Sequence, residues 1–155
     1  MLDRTDAGAG YGENPYPAFL KEKDMTVNEL LTEVDELKPN QYDDRLKIGW
    51  ISNLDMQITN DVILTHEDQP VTKDEEGNEI AFEFNGYTEA DMDTELLVKE
   101  PYSELYKFYL FAMIDFYNGE TDRYVNSMTM YNAAYSAFFN FYNRTHMPIG
   151  LPLKL

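Results

Sequence analysis

Cysteine is absent from the 155 residues, which removes disulfide frameworks, thiolate nucleophiles and zinc-ribbon ligand sets and fits a reducing compartment. Basic residues are scarce: 12 Lys and Arg stand against 29 Asp and Glu, a net charge of −17. So acidic a surface repels a phosphate backbone, and tight nucleic-acid binding is not expected. No apolar run approaches the ~18 residues of a spanning helix, and the N-terminal stretch lacks a basic segment followed by an apolar one. Neither export nor membrane insertion is expected. The patterns Gly-x-x-x-x-Gly-Lys, Gly-x-Gly-x-x-Gly and Gly-x-Ser-x-Gly are missing too, so neither a phosphate cradle nor a nucleophile elbow is available.

What is present is apolar mass. Hydrophobic residues make up 43% of the chain, enough for one real core in one domain despite the charge. The first 24 residues show neither helical nor alternating patterning and read as an extended N-terminal arm. Thr26 then offers an N-cap with Glu29 as its capping-box partner, and Val27, Leu30, Leu31, Val34 and Leu37 follow at helical spacing until Pro39. A second helix is expected from Asp43-Asp44 to about His66, striped by Leu46, Trp50, Leu54, Ile58 and Val62. Gly49 interrupts it, hinting at close backbone packing or at nothing selected.

Residues 67–95 carry eleven acidic side chains and one Lys. Within them Asp74-Glu75-Glu76-Gly77-Asn78 separates two short runs, as in a hairpin. This insertion is expected on solvent-facing or channel-facing surface, with Asp74, Glu75, Glu76, Asp91 and Asp93 as its acidic markers, because clustered carboxylates resist desolvation. Leu96-Leu97-Val98 is a further apolar run that either pairs with the hairpin or packs on the helices.

Two aromatic-rich helices are expected across residues 102–146, split at Asn118-Gly119. The last carries Tyr124, Met128, Tyr131, Tyr135, Phe138 and Tyr142 on one seam. The third, from Tyr102 to Tyr117, is apolar nearly all round and needs more cover than one small domain supplies. Phe108, Phe111, Tyr124 and Tyr131 are therefore the expected subunit-interface residues. The fold expected is mainly α: a four-helix bundle with a small β-hairpin insertion and extended N- and C-terminal arms.

Candidates for chemistry are few. A di-iron site needs two Glu-x-x-His pairs, but Ile63 and Asn143 precede His66 and His146 by three residues. Both histidines fall at predicted helix ends and read as solvated or C-capping. Asp91-Met92-Asp93-Thr94-Glu95 alternates carboxylates but lacks the glycine and distal Glu of a calcium loop. No catalytic, cofactor or metal residue is assigned, and no enzyme is expected.

The C-terminal segment alternates Met147, Ile149, Leu151, Leu153 and Leu155 with smaller or polar residues, the period of an extended strand. Pro152 removes a donor from one edge only, so the edge served by odd-numbered residues stays able to pair with a partner's sheet.

Taken together, Leu37-Lys38-Pro39-Asn40-Gln41-Tyr42, Trp50, Pro101-Tyr102-Ser103-Glu104-Leu105-Tyr106, Ile114-Asp115-Phe116-Tyr117-Asn118-Gly119-Glu120 and Phe141-Tyr142-Asn143-Arg144-Thr145-His146-Met147-Pro148 resemble the small head–tail connector (adaptor) proteins of tailed bacteriophages and prophages of Gram-positive bacteria. The resemblance spans residues 25–148. It implies a structural virion protein of the neck, assembled in the host cytoplasm as a homo-oligomeric ring, typically of twelve subunits. Such a ring joins the capsid portal to the next neck, head-completion or tail protein and extends the DNA channel. DNA passes without specific binding, as an acidic wall would favour. Residues 147–155 would be the portal-docking tail. The competing reading is an acidic DNA mimic or host-factor-binding phage protein, which predicts a salt-sensitive complex with a basic protein and no ring.

Overall fold

The computed structural model describes residues 23–150. The fold is mainly α, with four helices and a two-stranded antiparallel hairpin inserted between the second and third. Helix α1 (Val27–Leu37) starts where Thr26 and Glu29 complete a reciprocal capping box and buries Val27, Leu30, Leu31 and Val34. Helix α2 (Asp44–Asp61) is capped by the Asp43 side chain and ends earlier than its apolar stripe implies, because Ile63–Thr65 tighten into a 3-10 turn.

Strands β1 (Thr72–Lys73) and β2 (Glu79–Ile80) pair across the predicted turn. Asp74 holds that turn, its Oδ1 accepting from the backbone N–H groups of Glu76 (3.0 Å) and Asn78 (2.8 Å). Leu96-Leu97-Val98 packs on the helices and not on the hairpin, with Leu96 and Val98 buried and Leu96 N–H bonded to Met25 C=O. Asp91 closes the 3-10 turn Glu89–Asp91 in a capping box with Thr88, while Asp93 stays exposed.

Helix α3 (Glu104–Tyr117) lies at the centre. Helices α1 and α2 cover part of it and α4 (Thr121–Thr145) lies along the rest, the two joined through Gly119 at φ 71°. The helix that looked short of neighbours is thus covered largely within one chain. Leu105, Tyr106, Leu110 and Ile114 are almost completely buried. Two polar ties cross the core. Asp55 of α2 accepts from Tyr106 of α3 and from Tyr87 (2.6 Å) in the loop before α3, and those hydroxyls accept from Val98 and Leu97 N–H in turn. Asp115 of α3, also buried, pairs with Lys38 after α1 and accepts from Ser127 Oγ of α4 at 2.7 Å.

Candidate assembly surface

The seam predicted for α4 does face α3. Tyr131 tilts against Tyr109 (5.3 Å), Tyr124 against Phe116 (5.5 Å), and Phe138 and Tyr142 are buried. That orientation decides what the opposite side of α4 presents. From Tyr124 to Asn143 the helix contains no Asp, Glu, Lys or Arg, a stretch of about 30 Å at 1.5 Å per residue. Its outward positions hold Val125 (55% exposed), Met130 (50%) and Phe139 (37%) among Asn, Thr, Ser and Ala. On a chain of net charge −17 this is a long, exposed, uncharged face.

A second apolar feature opens between α2 and α3. It is a groove of about 700 Å³ lined by Tyr42, Leu46, Trp50, Tyr109, Met113 and Tyr117, with Gly49 at its edge. Trp50 and Tyr117 stack at 5.4 Å, and Tyr42 meets Trp50 edge-on at 5.6 Å. Gly49 does not mark close packing, since a Cβ there would meet nothing within 4 Å. Asp43 and Arg45 line the same groove, and Arg45 makes no salt bridge among the described residues.

The four aromatic residues expected at the subunit interface are not the exposed ones. Phe108, Phe111, Tyr124 and Tyr131 are all half-buried within the chain, and Lys38 and Lys107 cover the rings of Phe111 and Phe108. Phe116 and Tyr117, one turn further along α3, are more than half exposed instead. The outward face of α4 was not singled out from the sequence either. Its signal is in the sequence: the complement of the aromatic seam, bounded by Arg123 and Arg144.

The acidic insertion lies on the surface, with Glu75, Glu76 and Asp93 exposed and Asp74 and Asp91 half-exposed. His66 is buried, not solvated. Its Nδ1 meets Val62 C=O (2.7 Å), its Nε2 meets Asn143 Oδ1 (2.7 Å), and its ring stands edge-on to Tyr142. It caps the end of α2 and ties it to α4. No group of three or more His, Asp or Glu among the described residues is placed to hold a metal.

The tail begins as the alternation requires, but its odd-numbered edge is used within the chain. Glu67 N–H donates to Met147 C=O (2.8 Å) and Ile149 N–H to Thr65 C=O (2.9 Å). The segment the tail pairs with follows directly on the 3-10 turn Ile63–Thr65. Met147 and Ile149 keep their side chains half or more exposed. Leu151, Leu153 and Leu155, like residues 1–22 of the expected N-terminal arm, lie outside the described residues.

Models of known families, characterised proteins and solved structures contain no match to this chain. No helix among the described residues is long and apolar enough to cross a membrane.

Proposed function

We propose that this chain is a structural subunit of a phage neck, forming a homo-oligomeric ring that joins the capsid portal to the next neck protein and extends the DNA channel. The observation that carries the reading is the uncharged outward face of α4. Copies of a chain with net charge −17 repel one another unless they meet through a surface free of carboxylates, and this face is such a surface. A ring needs two different complementary patches, because only a head-to-tail contact closes around an axis with more than two members. The α4 face of one subunit and the aromatic groove beside Trp50 of the next supply that pair.

Magnitudes favour many copies over two. Covering the exposed parts of Val125, Met130 and Phe139, which the chain already half-buries, contributes roughly 1 kcal/mol each. Association costs roughly 4–15 kcal/mol in lost freedom. One contact is marginal; a closed ring, in which every subunit is held on both sides, is not. In this reading the C-terminal segment 149–155 meets the portal.

Native mass spectrometry and negative-stain imaging of the chain, with and without portal protein, test the reading. A ring that binds portal supports it. A monomer that instead forms a salt-sensitive complex with a basic protein would favour the DNA-mimic alternative.

A further inference from the structure

Between β2 and Tyr87 the burial of the chain alternates residue by residue. Phe82 and Phe84 pack against the core, while Ala81, Glu83 and Asn85 are exposed. The run is anchored at both ends. Ile80 pairs with Thr72 in the hairpin, and Tyr87 N–H donates to Ser52 Oγ at 2.8 Å. Phe84 adds an edge-on contact with the Tyr87 ring at 5.0 Å. Yet among the described residues no backbone hydrogen bond is made by Ala81, Phe82, Glu83, Phe84, Asn85 or Gly86. Alternating burial with no backbone bond is the pattern of an extended edge with its ladder unfilled, not of a loop bonded to itself.

The hairpin register shows which groups face outward. Thr72 and Ile80 oppose each other, so the N–H and C=O groups of Glu79 and Ala81 point away from β1. Continued alternation puts those of Glu83 and Asn85 on the same outer edge. An incoming strand would lay one set of side chains beside half-buried Phe82 and Phe84 and the other set beside Glu83.

We propose that the outer edge of residues 79–85 is a strand-addition site for an extended basic segment of another protein, one that alternates aliphatic residues with Lys or Arg. Charge selects this occupant. No Lys, Arg or His occurs between Lys73 and Lys99, and Glu79 and Glu83 sit on the edge itself. A second copy would bring the same carboxylates to the edge and be repelled, which is how edge charges suppress self-pairing. A cationic strand reverses the sign of that term while keeping the main-chain bonds. The proposal is independent of ring formation, since it uses neither the α4 face nor the groove beside Trp50.

The test uses the full chain and three synthetic octapeptides. One alternates Lys and Val, one has the same composition as a Lys block followed by a Val block, and one is the alternating peptide N-methylated along both edges. The alternating peptide should slow amide hydrogen exchange at Glu79, Ala81, Glu83 and Asn85 by about tenfold or more at saturation, as new ladder bonds do. The block and N-methylated peptides should not. Glu83→Lys, an exposed change that leaves the fold intact, should weaken binding by about tenfold through like-charge repulsion. Ala81→Pro, which deletes one outward N–H, should weaken it too. Equal protection by the block peptide, no protection by the alternating one, or unchanged affinity in both variants would overturn the assignment. Equal protection by a peptide of residues 149–155 would also overturn it, by making the chain's own tail the occupant.

Discussion

Tyr106 of α3 hydrogen-bonds to Asp55 of α2 at 2.5 Å, and both residues are completely buried. Burial pushes the Asp55 carboxyl up to about 6, although the hydrogen bonds from Tyr106 and Tyr87 act to hold it down. Its unfolded value is near 3.9. The folded protein therefore keeps a proton on Asp55 in a window, about pH 4 to 6, where the unfolded chain has released it. The stability this group contributes is greatest at the acid end and falls by roughly 2–3 kcal/mol as pH rises through the window.

Asp55→Asn removes that titration and leaves one tyrosine hydroxyl poorly matched, at a cost of about 1–3 kcal/mol. Denaturant unfolding of both proteins from pH 4 to 7 should show the variant's deficit shrinking as pH rises. Parallel curves would mean that Asp55 does not titrate in this range.

Two glycines should respond oppositely to alanine. Gly49 is exposed within α2 and open around its Cβ position, so Gly49→Ala should stabilise by about 1 kcal/mol. Gly86 has φ 90°, and a Cβ there would lie 3.2 Å from Cβ of Ser52, which the Tyr87 backbone holds in place. Gly86→Ala should destabilise by roughly 1–3 kcal/mol. Thermal unfolding of both variants checks the signs.

Features built from residues near one another in the chain were legible before the structure. The Thr26/Glu29 box, the Asp74–Asn78 turn and the Gly119 break each rest on spacings of a few residues. The Asp55–Tyr87–Tyr106 tie was not legible, because its members stand 32 and 51 residues apart and each alone reads as an ordinary surface or core residue. The cover that half-buries Phe108, Phe111, Tyr124 and Tyr131 within the chain was not legible for a related reason. All-round apolarity of α3 indicates that it needs cover but not whether α1, α2 and α4 supply it, which is a tertiary fact. His66 looked like a helix-end residue and is one; its burial against Tyr142 depends on where α4 ends.

Within the acidic insertion the carboxylates divide by role. Glu75→Gln and Glu76→Gln should leave the hairpin unchanged, since neither side chain makes a hydrogen bond among the described residues. Asp74→Ala should unlock the turn, because three donors from Glu76 and Asn78 lose their acceptor. Amide exchange at Asn78 and Gly77 distinguishes the two cases.

A head-to-tail contact has a signature that a symmetric one lacks. Met130→Glu damages the α4 face and Leu46→Glu damages the groove, each at a position already 44–50% exposed, so both variants should fold. Each alone should stay monomeric. An equimolar mixture retains one intact pair of faces between unlike copies and should stop at heterodimers, with no larger species in sedimentation. Full rings from the Leu46→Glu protein alone would mean that the groove is not the second patch.

The central claim, that copies of this chain assemble through the outward face of α4, is tested most directly by the native mass of the wild-type protein beside that of Met130→Glu. The account predicts a closed multimer of defined size for the wild type and a helical monomer for the variant. A wild-type chain that stays monomeric across concentrations, or a variant that assembles as fully as the wild type, would contradict it.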